Sequence, residues 1–289
     1  MKRRLFGLLA LLLTLTATTD ARAFCRLTTE APLVRGCQMD GMPLFWTQRC
    51  IPLSIDYRGV ETIDMADVEE ATLRAFSAWT SVECEGDTVG FQVETTGNST
   101  CLEAQFNTES GNVNTLAFVD DWPERGYDPS AFALTTTWFN TATGLILDAD
   151  IQLNTLRADY RVCADEGCDN PSETVDLENT LTHEAGHFFG LAHSEAPNST
   201  MLATATDGET IKRDLAPDDI AGFCEAYQGA ILSEACSFSA RNGLDLDCET
   251  PEGCGCTVPG IRTGGGGSFL SGLLLVIAIV WRRRGRTRQ

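Results

Sequence analysis

Three histidines and one glutamate stand close together with a spacing that suits metal chemistry. His183, His187 and His193 are the chain's only histidines, and with Glu184 and Gly190 they fit the pattern HExxHxxGxxH. Residues four apart lie on one face of a helix, so His183 and His187 can reach the same ion. Gly190 permits the left-handed backbone of a sharp turn, which brings His193 round as a third ligand.

A chance match is the alternative interpretation, because the HExxH core alone is short. The full pattern is far more specific, and histidines used only for packing or solvation would be scattered along the chain. The sequence therefore predicts a metal site. Three neutral imidazoles suit Zn²⁺ and leave its fourth position to water. Bound zinc lowers the pKa of water from ~15.7 towards ~7, so Glu184 can act as general base at neutral pH.

The elements that must position these residues follow from the surrounding pattern. A first helix is predicted from Asp64 to about Trp79, a second from about Asp176 to Phe189, and a third from about Pro217 to Tyr227. Because strands precede the last two helices, the predicted fold class is α+β. The predicted strands are Ile51–Tyr57, Gly90–Thr95, Asn114–Val119, Phe132–Phe139 and Leu145–Asn154.

The motif and its flanks resemble the metzincin metalloproteases, and in detail the matrixins. Ser194 follows the third histidine, and Met201 falls where matrixins carry the methionine of their Met-turn. Three further stretches resemble matrixin segments, namely Ala75–Trp79, Gly144–Ile151 and Ala216–Ile220. The resemblance spans about residues 44–228.

This resemblance implies a zincin-like domain with a mixed twisted sheet, an active-site helix and a C-terminal helix. It implies one catalytic Zn²⁺ on His183, His187 and His193, with Glu184 as catalytic base. Met201 would form an apolar floor beneath the ion rather than a ligand.

The resemblance also implies where a substrate would bind. A peptide would lie extended beside an edge strand, which we assign to the strand holding Leu116, Ala117 and Phe118. The loop from Leu202 to Asp214 would wall the main specificity pocket.

The net charge is −20, and basic residues are concentrated at the two ends, which leaves the middle of the chain strongly acidic. Such a surface repels phosphate backbones, so we expect no nucleic-acid partner. Structural Ca²⁺ is left open by Asp120, Asp121, Asp128, Asp148 and Asp150. The alternative is an ordinary solvated acidic surface.

Twelve cysteines without a repeated CxxC pattern indicate disulfides formed in an oxidising compartment. Setting aside Cys254 and Cys256 leaves enough for five bridges. Cys163–Cys168 and Cys84–Cys101 are candidate pairs, although sequence alone does not determine pairing.

The start of the chain is predicted to direct export. Residues 1–23 combine a basic start, a short apolar run and the small residues Ala21 and Ala23, as in a signal peptide cleaved before Phe24. The catalytic domain is assigned to residues 24–228, and residues 229–262 to a linker rich in Cys and Gly.

Residues 263–289 hold an apolar stretch followed by arginines, which suits either a single-helix anchor or a sorting tail. The order of cysteines, apolar stretch and arginines resembles the tails processed by myxosortase. That resemblance implies a processing protease, cleavage near Cys254 or Cys256 and attachment to the cell surface.

Together these features predict an exported zinc endopeptidase, secreted or held at the cell surface or outer membrane. Its substrate would be a protein or peptide, and only its terminal segments would contact a membrane. Two other classes stay open. An inactive zinc-bearing adhesion or binding module would have no need of Glu184, and the motif alone does not exclude a zinc hydrolase with a non-peptide substrate.

Overall fold

The structure is a computed structural model that describes residues 23–32, 36–56, 58–248 and 275–278. Nearly all of the predicted signal peptide lies outside these ranges, as do Cys254, Cys256 and most of the predicted tail. Within the described ranges, no helix is both long and apolar enough to cross a membrane.

Three α-helices, one short 3-10 helix and twelve strands form the described parts of the chain. The helices are α1 Met65–Thr80, α2 Leu177–Phe188, the 3-10 turn Ile211–Arg213 and α3 Pro217–Tyr227. The strands are β1 Cys25–Arg26, β2 Cys50–Asp56, β3 Glu83–Cys84, β4 Asp87–Thr88, β5 Gln92–Ser99, β6 Asn114–Val119, β7 Ala133–Phe139, β8 Ile146–Asn154, β9 Asp159–Arg161, β10 Thr174–Asp176, β11 Leu191–Ala192 and β12 Leu275–Ala278.

The main sheet has six strands in the order β5-β2-β6-β8-β7-β12. The first four are mutually parallel, whereas β7 is antiparallel to β8 and β12 is antiparallel to β7. The connection from β2 through α1 to β5 joins parallel strands, which require such a crossover. The mixed sheet and helices confirm the predicted α+β class.

Strand β6 lies inside the sheet between β2 and β8, so the assignment of Leu116, Ala117 and Phe118 to an edge strand is wrong. Leu116 and Phe118 face the core beneath the helices, while Ala117 packs in a second cluster on the opposite face. All three are buried. An apolar run without alternation is typical of a strand covered on both faces, and this signal favoured a central position.

Two tryptophans join α2 to the rest of the core. Trp79 Nε1 on α1 donates to Thr182 O at 2.8 Å, and Trp46 Nε1 donates to Phe188 O at 2.7 Å. Phe76 meets Phe188 edge to face with ring centroids 5.1 Å apart. Phe76 and Trp79 are therefore core residues, and both indoles also donate to carbonyl groups of α2.

Ten cysteines form five disulfides in the described residues. The Cys163–Cys168 pair is confirmed, but Cys84–Cys101 is wrong because Cys84 pairs with Cys224 and Cys101 with Cys248. These partners are distant in sequence and meet only after α3 and the segment that follows it return to the domain.

Residues 229–248, which the sequence assigned to a linker, pack against the sheet layer. Cys50–Cys236 and Cys101–Cys248 tether this segment at two points. Backbone bonds add to the bridges, since Asn112 N donates to Gly243 O and Thr100 N donates to Leu246 O, each at 2.9 Å.

Candidate metal centre

Helix α2 carries the first half of the motif and begins where the sequence predicted. Its N-cap is Asp176, whose side chain accepts a hydrogen bond from Asn179 N at 2.8 Å and so satisfies one of the unpaired amides of the first turn. All residues of α2 are buried. The imidazoles therefore project from a helix that is enclosed by protein and held at a fixed position.

Gly190 makes the turn that the motif requires. Its φ is +84°, and a Cβ at this position would lie 2.5 Å from Leu44 O. The turn is held by Gly190 N, which donates to His187 O at 2.9 Å. β11 follows and pairs with β1, which places His193 beside the helix.

The three histidines converge as predicted. The ring centroids of His183, His187 and His193 lie 4.9 to 5.3 Å apart, and one nitrogen from each lies within 4.8 Å of the others. His183 Nδ1 is 2.5 Å from Thr200 O, and His187 Nδ1 is 2.8 Å from Leu191 O. A ring whose Nδ1–H binds a carbonyl presents the lone pair of Nε2, which is the tautomer a metal requires.

The surroundings keep these imidazoles neutral. Burial lowers the pKa of His187 to about 4 and the pKa values of His183 and His193 well below 6.5. Nε2 of His187 and Nε2 of His193 are buried without a hydrogen-bond partner in the described part of the chain. These two nitrogens, grouped with the His183 ring at this distance, fit a divalent ion such as zinc.

Glu184 lies beside these ligands and is itself completely buried. Thr135 Oγ1 on β7 donates to its Oε2 at 2.6 Å, whereas Oε1 has no hydrogen-bond partner among the described residues. Burial raises the pKa of Glu184 to about 8, although the Thr135 hydroxyl and the charge of Lys212 act to lower it. A bound cation would favour the carboxylate form further.

Met201 lies against α2 directly below the motif. A Cβ on Gly186, between the two helical histidines, would lie 2.2 Å from Met201 Sδ. This placement agrees with the predicted floor. The turn that carries Met201 is held by Asp219 on α3, whose carboxylate accepts bonds from Thr200 N at 2.7 Å and Met201 N at 3.1 Å.

Sequence reasoning missed the roles of Asp219, Thr135 and Lys212. Asp219 stands in the first turn of a helix, where acidic residues are common, so its sequence position predicts only a local role. Lys212 lies in the predicted specificity loop, yet its side chain is buried and its ammonium donates to Leu202 O. Burial lowers the pKa of Lys212 to about 8. No pattern in the sequence marks this lysine as buried.

Ser194 connects the third histidine to the predicted mature N-terminus. Its Oγ donates to Asp218 Oδ2 at 2.6 Å, and Phe24 N donates to Asp218 Oδ1 at 3.1 Å. Asp218 thus holds the start of the domain against the residue that follows His193.

The predicted calcium ligands do not gather into one group in the described residues. The sets of three potential ligands that come close together there are the three histidines and a set formed by Cys163, Cys168 and Asp176. The two cysteines of the second set form a disulfide, so their sulfurs do not serve as thiolate ligands. Structural calcium and an ordinary solvated acidic surface stay the two alternatives that the sequence leaves open.

Comparison with known proteins agrees with this geometry. Residues 45–228, which include the three histidines, Glu184 and Met201, match the matrixin peptidase family. The chain belongs to the matrixin family. Membership implies zinc binding and supports a metalloprotease, as the sequence predicted.

Two plant matrixin relatives match a shorter stretch. Over 53 residues the chain is 45% identical to Metalloendoproteinase 2-MMP and 43% identical to Metalloendoproteinase 1-MMP, both of Arabidopsis thaliana. Each match covers 18% of this chain and 14% of the relative. The chain therefore spans only a small part of the curated relatives it matches.

Proposed function

We propose that this protein is an exported zinc endopeptidase. The observation that carries the proposal is the convergence of three neutral imidazoles, those of His183 and His187 buried and that of His193 half-buried. They lie beside a buried glutamate, one oxygen of which has no hydrogen-bond partner among the described residues. An inactive binding module would gain nothing from an acidic group at this position, because burying it without a function costs stability.

His183, His187 and His193 would hold the ion through their ring nitrogens. When bound, zinc polarises the scissile carbonyl and lowers the pKa of water. The carbonyl groups of Thr200 and Leu191 keep two of the rings in the orientation and tautomer that binding needs.

Glu184 would take the proton from the attacking water at Oε1 and pass it to the leaving amine. Its other oxygen is occupied by the Thr135 hydroxyl. The enclosed position of Glu184 keeps bulk water from competing for the same proton.

The substrate peptide would lie extended along β7 rather than β6. β7 contributes Thr135 to the site, and its side away from β8 already pairs with an extended segment, β12, through Leu134–Thr137. Main-chain pairing of this kind accepts many sequences. Because a substrate would have to displace β12, removal of the tail at the predicted processing site would favour binding.

Export rests on the signal-like start, the five disulfides and the acidic surface. Attachment to a cell surface rests on the resemblance of the tail to a sorting signal. Fractionation of cells that express the whole chain, followed by mass determination of the mature protein, would show both processing positions.

Zinc content and peptide cleavage by the same purified, oxidised protein test the proposed activity. We expect about one zinc per chain, cleavage of casein that a chelator abolishes, and recovery on zinc addition. Glu184→Ala should keep the zinc and lose at least about 10²-fold in kcat, as expected for loss of a general base. A wild-type protein that binds zinc without cleaving peptides would favour the binding module, and a Glu184→Ala variant of normal rate would exclude the assigned base.

A further inference from the structure

Thr135 lies outside the motif and donates a hydrogen bond to the side chain of Glu184. Its side chain is completely buried, and its Oγ1 lies 2.6 Å from Glu184 Oε2 and 3.3 Å from Glu184 O. The two residues are 49 positions apart and come from different elements, a strand and a helix. No sequence motif of the chain connects them.

We propose that Thr135 is a positioning residue that fixes the carboxylate of Glu184 by holding Oε2, so that Oε1 is the oxygen left for proton transfer. The proposal deepens the proposed function and rests on it. It assigns to β7 a part in catalysis in addition to its place in the sheet.

Thr135 can fix the carboxylate of Glu184 because its own side chain is the more rigid of the two. The terminal torsion of a glutamate is broad, so a buried carboxylate held only by packing can rotate. Thr135 is β-branched and therefore stiff, and its backbone is fixed by pairing with Ile151 on β8. A hydrogen bond from a rigid strand removes the rotation of the carboxylate, and a site needs such support to keep its geometry.

Thr137 argues against the alternative that Thr135 makes this bond only because a buried hydroxyl needs a partner. This residue lies two positions along the same strand, on the same face, and is also buried. Its Oγ1 has no hydrogen-bond partner within the described part of the chain. Strand β7 therefore tolerates a buried threonine hydroxyl without a partner, and the contact of Thr135 is specific to Glu184.

Three variants of the zinc-loaded protein test the proposal. Thr135→Val removes the hydroxyl at nearly constant shape, and Thr135→Ser keeps it. Thr72→Val is the control, because it makes the same change at a buried threonine on α1, outside β7 and α2. We expect Thr135→Val to lose about 10- to 100-fold in kcat with KM and zinc content unchanged, since small misplacements of catalytic groups cost this much. Thr135→Ser should retain kcat within about threefold, because it keeps the donor, and Thr72→Val should keep the kcat of the wild type.

Normal kcat in Thr135→Val, or an equal loss of kcat in Thr72→Val, would overturn the proposal. A loss expressed only in KM would do so as well, because it would indicate substrate binding rather than positioning of the base.

A second measurement does not depend on activity. In the metal-free protein, Thr135→Val should lower the urea midpoint of unfolding in the wild-type background. It should lower it clearly less in a Glu184→Ala background, where only the longer bond to the carbonyl of residue 184 is lost. Equal shifts of the urea midpoint in both backgrounds would show that the two side chains are not coupled, and this result would refute the proposal. If the wild type cleaves no peptide, the proposed function fails while this cycle still decides whether Thr135 holds Glu184.

Discussion

Gly190 shows how one residue can decide the geometry of a metal centre. Two features exclude a larger residue at this position. The backbone φ is positive, and an added Cβ would lie 2.5 Å from Leu44 O. Gly229 has a similar φ of +76°, but among the described residues no atom lies within 4 Å of its Cβ position. Comparing alanine substitutions at Gly190 and Gly229 therefore separates the cost of backbone strain from the cost of steric conflict.

Gly190→Ala should destabilise the protein by about 2–4 kcal/mol, of which ~1 kcal/mol is backbone strain and ~1–3 kcal/mol is overpacking. Zinc content should fall as well, because the turn places His193. Gly229→Ala should cost only the ~1 kcal/mol of strain. Urea unfolding of both variants is the measurement, and equal costs would refute the steric role.

Asp148 is a buried carboxyl on β8 whose Oδ2 has no hydrogen-bond partner among the described residues. Burial first, and then the neighbouring charge of Asp150, raise its pKa well above the usual range, while Arg241 lowers it. A raised folded-state pKa means that stability is fully present below the unfolded value, about 4, and is lost as pH rises towards the folded value.

Asp148→Asn should therefore be more stable than wild type at pH 8, and the advantage should disappear near pH 4. Urea midpoints across this range measure the difference, with exposed Asp120→Asn as a control that changes little. An Asp148→Asn variant that is less stable than wild type at pH 8 would contradict the cost that we assign to burying the Asp148 carboxylate. Stabilisation of the wild type alone by added Ca²⁺ would reveal a cation site instead.

At the scale of elements, Asp176 joins three parts of the structure around the start of α2. Its carboxylate caps the helix, accepts from Cys163 N at 3.0 Å and pairs with Arg213 Nε and Nη2, each at 2.7 Å. Asp176 is fully buried, so the 3-10 turn that carries Arg213 is tied to the active-site helix by a bidentate pair.

Arg213→Ala should destabilise the protein by about 3–5 kcal/mol, because it leaves a buried carboxylate without its cation. Arg74 is the matched control, because it forms an ion pair with Glu178 on the same helix. The side chain of Arg74, however, is 41% exposed. Arg74→Ala should cost no more than about 1 kcal/mol. Chemical unfolding compares them, and similar losses would show that burial of the pair does not matter.

At the scale of the whole molecule, disulfides between distant segments hold the C-terminal part of the domain in place. Cys101–Cys248 spans 147 residues, whereas Cys163–Cys168 spans 5. A bridge that closes a longer loop removes more entropy from the unfolded chain. The Cys50–Cys236 bridge shortens the loop that Cys101–Cys248 closes in the unfolded chain. That loop is still longer than the one closed by Cys163–Cys168.

Replacing both cysteines of Cys101–Cys248 by serine should cost roughly 4 kcal/mol, against roughly 2 kcal/mol for Cys163–Cys168, on the chain-entropy estimate. Thermal and urea unfolding of the oxidised double variants would measure both values. The reverse order would show that local strain outweighs loop length in this domain.

The sequence by itself determined the grouping of the three histidines, the three long helices and most strands, because these features depend on local spacing. HExxH needs only the helical repeat, and Gly190 only the freedom of its own backbone. The helices at 65–80, 177–188 and 217–227 follow from apolar periodicity and from residues such as Asp176 and Pro217 at their starts.

Only the tertiary structure decided which strands are neighbours and which distant side chains meet. Leu116–Phe118 and Ala133–Phe139 both predict strands, but the order of strands in a sheet depends on non-local pairing. The same holds for Cys84 with Cys224 and for Thr135 with Glu184. Such contacts are selected by packing of the complete core, and a single sequence carries no local signal for them.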